Sequence, residues 1–201
     1  MTNETQLKVL LIDEEPDRVK ALEDALNALG HNVVCHLTQP NELNRHVEQT
    51  EPDIVIIDMD SPNRDTLESM ATMSQQNPRP IIFFAEQQND RKAMAAAINA
   101  GVSAYVADGL QPDRVKTIMD TAIAQFDAYN SLRQELDKAK TQLADRKMIE
   151  KAKGMLMKHQ GCDEEQAYST LRKLAMDRGQ KLIDVARNVI EVLELTSSAN
   201  R

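Results

Sequence analysis

The chain of 201 residues has no tryptophan, and its three phenylalanines and three tyrosines bring aromatic content to only 3%. Aliphatic side chains and 10 methionines must therefore fill any interior, within a hydrophobic fraction of 41%. There are two cysteines, Cys35 and Cys162, which form no CxxC pair. That count gives no disulfide framework and suits thiols kept reduced in the cytoplasm. No apolar run approaches the roughly 18 residues of a membrane span. The start, Met1-Thr-Asn-Glu-Thr5, lacks the basic stretch of a secretory signal. A cytoplasmic protein with no membrane partner is expected. His31, His36, His46 and His159 lie near no nucleophile pattern, and the six glycines form no phosphate-binding loop. An enzyme is not expected.

Charge is unevenly spread. The whole chain carries −8, yet residues 146–187 hold ten Lys and Arg against six Asp and Glu. An acidic whole argues against nonspecific coating of DNA, while a locally basic tail suits a specific nucleic-acid contact. Charge runs are most often solvated helix faces, so the tail needs a second signal.

The length suits one ordinary domain and a smaller module. Short apolar runs at Leu7–Ile12, His31–Cys35, Asp53–Asp58, Pro80–Ala85 and Ser103–Ala107 read as strands. Helical spacing separates several of them, at Val19–Leu29, at Ala93–Ala100 and after the last strand at Asp113–Phe126. Alternation of this kind predicts an α/β fold with a doubly wound, parallel, five-stranded sheet over residues 1–126. Right-handed crossovers then leave a site at the C-terminal ends of the strands.

Residues 127–146 contain neither proline nor glycine. Tyr129, Leu132, Leu136, Ala139 and Leu143 recur there at spacings of three and four, which is the seam of a coiled coil. Two heptads are marginal alone, so this linker is expected to continue the preceding helix, run into the next one and join two copies of the chain. Packing of a single helix on its own domain is the alternative.

A last module is expected over residues 147–195, with a frayed tail at 196–201. Its first helix stops at Gln160-Gly161, Asp163 with Gln166 resembles a capping box, and Gly179 separates the second helix from a third starting at Lys181. Lys147, Lys151, Gly154 and Lys158 share one face of the first helix, and Tyr168 and Arg172 lie one turn apart on the second. Phosphates meet Lys and Arg, and splayed RNA bases stack on aromatic or guanidinium planes. These residues, with Lys153, Lys173, Arg178, Lys181 and Arg187, are therefore candidate RNA contacts. Tyr168 also fits a core position, and Met155 and Met157 fit the core better than a surface.

Three acids fall at strand ends, Asp13 and Glu14 after the first strand and Asp58 after the third. Clustered carboxylates shift their titration or hold a hard cation. The stretches Leu11-Ile-Asp-Glu-Glu-Pro16 and Asp58-Met-Asp-Ser-Pro62 resemble the flavodoxin-like receiver domain of two-component response regulators. The resemblance implies Asp58 as the phosphoacceptor position and Asp13, Glu14 and Asp58 as metal-binding acids. No cofactor is required, though the pocket leaves room for Mg²⁺. Two positions depart from the pattern: Ala85 stands where receivers carry Thr or Ser, and Asp108 where they carry Lys. A carboxylate would repel an aspartyl phosphate where an ammonium would pair with it. Conventional phosphoryl switching is expected to be lost.

Ile149–Met157, Asp163–Tyr168, Leu171–Met176 and Lys181–Arg187 resemble the ANTAR domain, a small three-helix RNA-binding bundle of bacterial transcription antiterminators. Asp58–Leu67 and Gly101–Leu110 are similar to NasT-type antiterminators of nitrate and nitrite assimilation. The resemblance implies a regulator that binds paired hairpins in a leader transcript and prevents terminator formation. It also implies a nitrate- or nitrite-sensing partner protein that holds the regulator inactive. The alternatives are a phosphorylation-controlled two-component regulator and an interaction scaffold without RNA.

Overall fold

The computed structural model describes residues 6–40, 42–85, 91–107 and 111–198. The chain divides into two compact units, Met1–Asn130 and Ser131–Arg201.

The first unit is built on five strands, β1 (Lys8–Ile12), β2 (Asn32–Leu37), β3 (Ile54–Asp58), β4 (Ile81–Ala85) and β5 (Ala104–Ala107). All pair in parallel, in the order β2-β1-β3-β4-β5. The expected doubly wound sheet is present. Every residue of β3 and β4 is buried, which explains their unbroken apolar sequences. Side chains alternate between two cores. Leu10, Ile12, Val55, Ile57 and Phe83 meet α2 (Leu43–Thr50), α3 (Arg64–Gln76) and α4 (Arg91–Asn99) on one face. Val9, Leu11, Ile54, Ile56 and Phe84 meet α1 (Pro16–Ala28) and the start of α5 (Val115–Gln160) on the other.

Local chemistry sets the helix ends. Pro16 opens α1, where its missing N–H costs nothing. Gly30, at φ +83°, takes the left-handed turn that follows it. Helices α2 and α3 occupy stretches given no element above. The reason is compositional: α2 buries only Leu43 and Val47, and α3 buries Thr66, Met70 and Met73. A stripe so thin, with a threonine in it, leaves little periodic signal. Asn63 caps α3 by accepting from the Thr66 amide at 2.8 Å, a contact that typically contributes about 1 kcal/mol.

Helix α5 runs without interruption for 46 residues, so the linker is helical throughout, as expected. The second unit packs its C-terminal part with α6 (Glu164–Arg178) and α7 (Leu182–Ser198). Asp163 and Gln166 form the anticipated capping box, and Gly179 ends α6 in the left-handed conformation. Ala152, Ala167, Ala175 and Ala186 lie in the core of this bundle beside Leu156, Leu171, Val185 and Ile190. Small residues at these contacts let the helices approach closely.

Candidate functional site

Parallel pairing of β1 with β3 brings two of the three acids together. Asp58 is the last residue of β3, Asp13 follows β1 directly, and Ile12 pairs with Ile57. Both carboxylates are nearly inaccessible, with 1% exposure at Asp13 and 2% at Asp58. Glu14 is exposed instead. Among the described residues no three His, Cys, Asp or Glu side chains cluster as a metal site. Ala85 closes β4, is fully buried, and has no hydroxyl to offer this end of the sheet. Asp108 lies outside the described residues.

The cation beside these acids comes from a residue that sequence reasoning passed over. Arg18, in the first turn of α1, contacts Asp13 through Nη2 to Oδ1 at 3.1 Å and Nε to Oδ2 at 3.4 Å. Its Nε also lies 3.8 Å from Oδ2 of Asp58. The Glu15 amide donates to Oδ1 of Asp13 at 2.8 Å. The available signal was spacing: five residues after Asp13, across a turn closed by Pro16, a side chain on α1 can reach back to the strand end.

In the second unit the candidate RNA residues separate into groups. Lys147, Lys158, Arg172 and Lys181 are exposed, and no ion pair holds them among the described residues. Tyr168 is 43% exposed and stands outside the bundle core, one turn before Arg172. Lys151 pairs with Glu194 at 2.7 Å, and Arg187 lies 4.0 Å from Asp145. The fold brings Lys151 and Arg187, distant in sequence, to one cleft of about 370 Å³ with Met148, Ile190, Glu191 and Glu194. Two acids offset the two cations there, so the cleft is electrostatically mixed rather than basic. Lys153 differs from the other lysines. It is 8% exposed and donates to Glu164 at 2.7 Å, with Glu150 at 2.8 Å. Its charge serves the bundle, and its Nζ lies 5.9 Å from the Tyr168 ring centre.

The hydrogen bonds to Glu150 and Glu164 raise the Lys153 ammonium above its ordinary value, and the Lys153 contact lowers the Glu164 carboxyl. The sign follows for Glu164. Its contribution to stability is present above the ordinary carboxylate range and is lost as pH falls through the lowered value. Gly154 sits inside α5, and a Cβ there would meet nothing within 4 Å. Internal packing therefore does not require this glycine, although it costs the helix roughly 1 kcal/mol relative to alanine.

The seam positions on α5 are all on the surface. Tyr129 is 66% exposed, Leu132 65%, Leu136 54% and Leu143 56%, with Ala139 exposed between them. Among the described residues no helix is long and apolar enough to cross a membrane.

A family model for the response regulator receiver domain matches residues 9–120, and one for the ANTAR domain matches residues 137–190. The transcriptional regulatory protein PdtaR of Mycobacterium tuberculosis is 26% identical over 186 residues, covering 92% of this chain and 90% of that protein. The nitrate regulatory protein of Klebsiella oxytoca is 40% identical over 80 residues, which is 40% of this chain and 20% of that protein. Among solved structures, the signal receiver domain of a modulated diguanylate cyclase from Desulfovibrio desulfuricans G20 aligns with a TM-score of 0.54 at 22% identity. It covers 62% of this chain and 99% of its own. That likeness is one of fold. Receiver and ANTAR families are regulatory rather than enzymatic.

Proposed function

Since this chain belongs to the response regulator receiver family and carries an ANTAR domain behind its receiver, we propose that it is a cytoplasmic, dimeric antiterminator that binds paired RNA hairpins. The observation that carries the reading is the exposed set Lys147, Lys158, Tyr168, Arg172 and Lys181, with Lys173 and Arg178 also exposed, on a bundle where Lys151, Lys153 and Arg187 are matched by acids. An aromatic plane beside a guanidinium suits splayed loop bases, and exposed lysines suit phosphates. Lys151 and Arg187 sit at the edge of this set with partners to exchange. Lys153 acts by holding α5 to α6. The open space at Gly154 leaves room for a sugar–phosphate strand against α5.

A coiled-coil dimer along Tyr129, Leu132, Leu136, Ala139 and Leu143 would present two ANTAR bundles to two hairpins. The domains in this reading are the receiver-like unit at 1–126, the linker at 127–146 and the RNA module at 147–195. Nitrate or nitrite assimilation is the favoured setting, supported by the match to the Klebsiella regulator. The input would come from a ligand-sensing partner protein.

The test is a titration of the full chain against a two-hairpin leader RNA and against duplex DNA of equal charge. The RNA is expected to bind far more tightly at physiological salt, with the DNA showing only salt-labile association. Equal affinity for both would remove the proposal.

Control by phosphorylation is disfavoured by the pocket. A phosphoryl group brings roughly two negative charges to a site where one guanidinium already serves Asp13 and Asp58. Acetyl phosphate is expected to leave Asp58 mostly unmodified by intact-mass spectrometry, and Asp58→Asn to leave RNA affinity unchanged. Stoichiometric labelling that tightens RNA binding severalfold would restore ordinary receiver switching.

A further inference from the structure

Two buried carboxylates on neighbouring strands need a positive charge, because an uncompensated buried anion is costly. In this chain a covalently attached group supplies it. The Arg18 guanidinium engages both oxygens of Asp13, at 3.1 and 3.4 Å, and reaches Asp58 at 3.8 Å. Arg18 is about two-thirds buried, with 31% of its side chain exposed. Pro16 fixes the helix start from which it projects.

We infer that Arg18 is the resident cation of this pocket and takes the place of a divalent metal ion, so that the native receiver holds no metal on Asp13 and Asp58. Of the three acids only Asp58, whose two oxygens accept no hydrogen bond, is open to a divalent ion as the site stands. Mg²⁺ demands oxygens at about 2.0–2.1 Å in near-octahedral geometry. Oδ1 of Asp13 already accepts from Arg18 and from the Glu15 amide, and Glu14 is exposed. An entering ion would meet the guanidinium as a like charge and would have to displace it.

Arginine keeps its charge at every pH the fold survives. The cation of this pocket is therefore present whatever the magnesium supply or chelator, and it offsets one of the two carboxylate charges. The guanidinium also shields Asp58 from a metal-assisted phosphodonor. This inference stands on the geometry of the first unit and does not rest on the RNA reading.

If Arg18 is what excludes the metal, its removal should uncover a cation site. Mn²⁺, followed by loss of the free-ion electron paramagnetic resonance signal, is the probe for the full chain. The native protein and its Asp58→Asn variant are expected to take up Mn²⁺ equally and weakly. Arg18→Gln is expected to gain a site about tenfold tighter or better, which Arg18→Gln combined with Asp58→Asn loses again. Mn²⁺ should raise the melting midpoint of Arg18→Gln and leave that of the native chain in place. An Asp58-dependent Mn²⁺ site in the native protein overturns the inference, and that comparison needs no Arg18 variant. A folded Arg18→Gln protein with no gain in Mn²⁺ affinity overturns it as well.

Discussion

Leu136→Asp is expected to halve the mass of the protein in solution. Leu136 is the central member of the exposed seam on α5, with Leu132 one turn before it and Leu143 two turns after. Full burial of one leucine side chain contributes roughly 1.5–3 kcal/mol, and a dimer removes two copies at once. The substitution also places two like carboxylates in an apolar interface. A loss of about 3 kcal/mol or more raises the dissociation constant over a hundredfold, enough to give monomers at micromolar concentration. RNA binding should follow. Two tethered modules gain on the order of 10²–10⁴ in avidity from effective concentration, so the monomer should lose its preference for two hairpins over one. Multi-angle light scattering checks the mass, and paired titrations with one- and two-hairpin RNA check the consequence. An unchanged mass removes the coiled coil.

The second large effect is expected at Tyr168. The residue is 43% exposed and outside the bundle core, with the exposed Arg172 one turn away. Tyr168→Ala should weaken hairpin binding by about 1–3 kcal/mol, the range for loss of one stacked base. Circular dichroism and the melting midpoint should change little, because few buried contacts disappear. Lys158→Ala should give a smaller loss and reduce the salt dependence of binding by about one counterion. Lys151→Ala should do less still, since Glu194 already holds that ammonium. Undiminished hairpin affinity in a folded Tyr168→Ala protein would exclude the ring from the contact.

The strands were legible because parallel strands covered on both sides must be apolar throughout, as β3 and β4 are. The apolar positions of the linker stood out for the opposite reason: they sit, exposed, on an otherwise polar stretch of α5. Asp163 and Gln166 announced a helix start through local hydrogen bonding alone. What escaped depends on contacts between elements. Helices α2 and α3 bury too few side chains for a periodic signal. Arg18 falls just before the helical spacing read at Val19–Leu29 and drew no assignment, and only the fold sets it against Asp58, forty residues further on. Lys153 was counted as further basic charge beside the lysine face, yet Glu164 reaches it from the next helix. Charge by itself does not distinguish a lysine that binds a ligand from one that ties two helices together.

The four buried alanines of the last bundle have an energetic consequence. A side chain ending at Cβ lets helices approach closely but removes few carbons from water. A module of this size already lies near the lower limit for stable independent folding. Its margin against opening is therefore thin, and a ligand that binds only the closed form adds to that margin in proportion to the logarithm of its concentration. On the RNA-binding reading, transcript abundance becomes a term in the folding equilibrium of this domain.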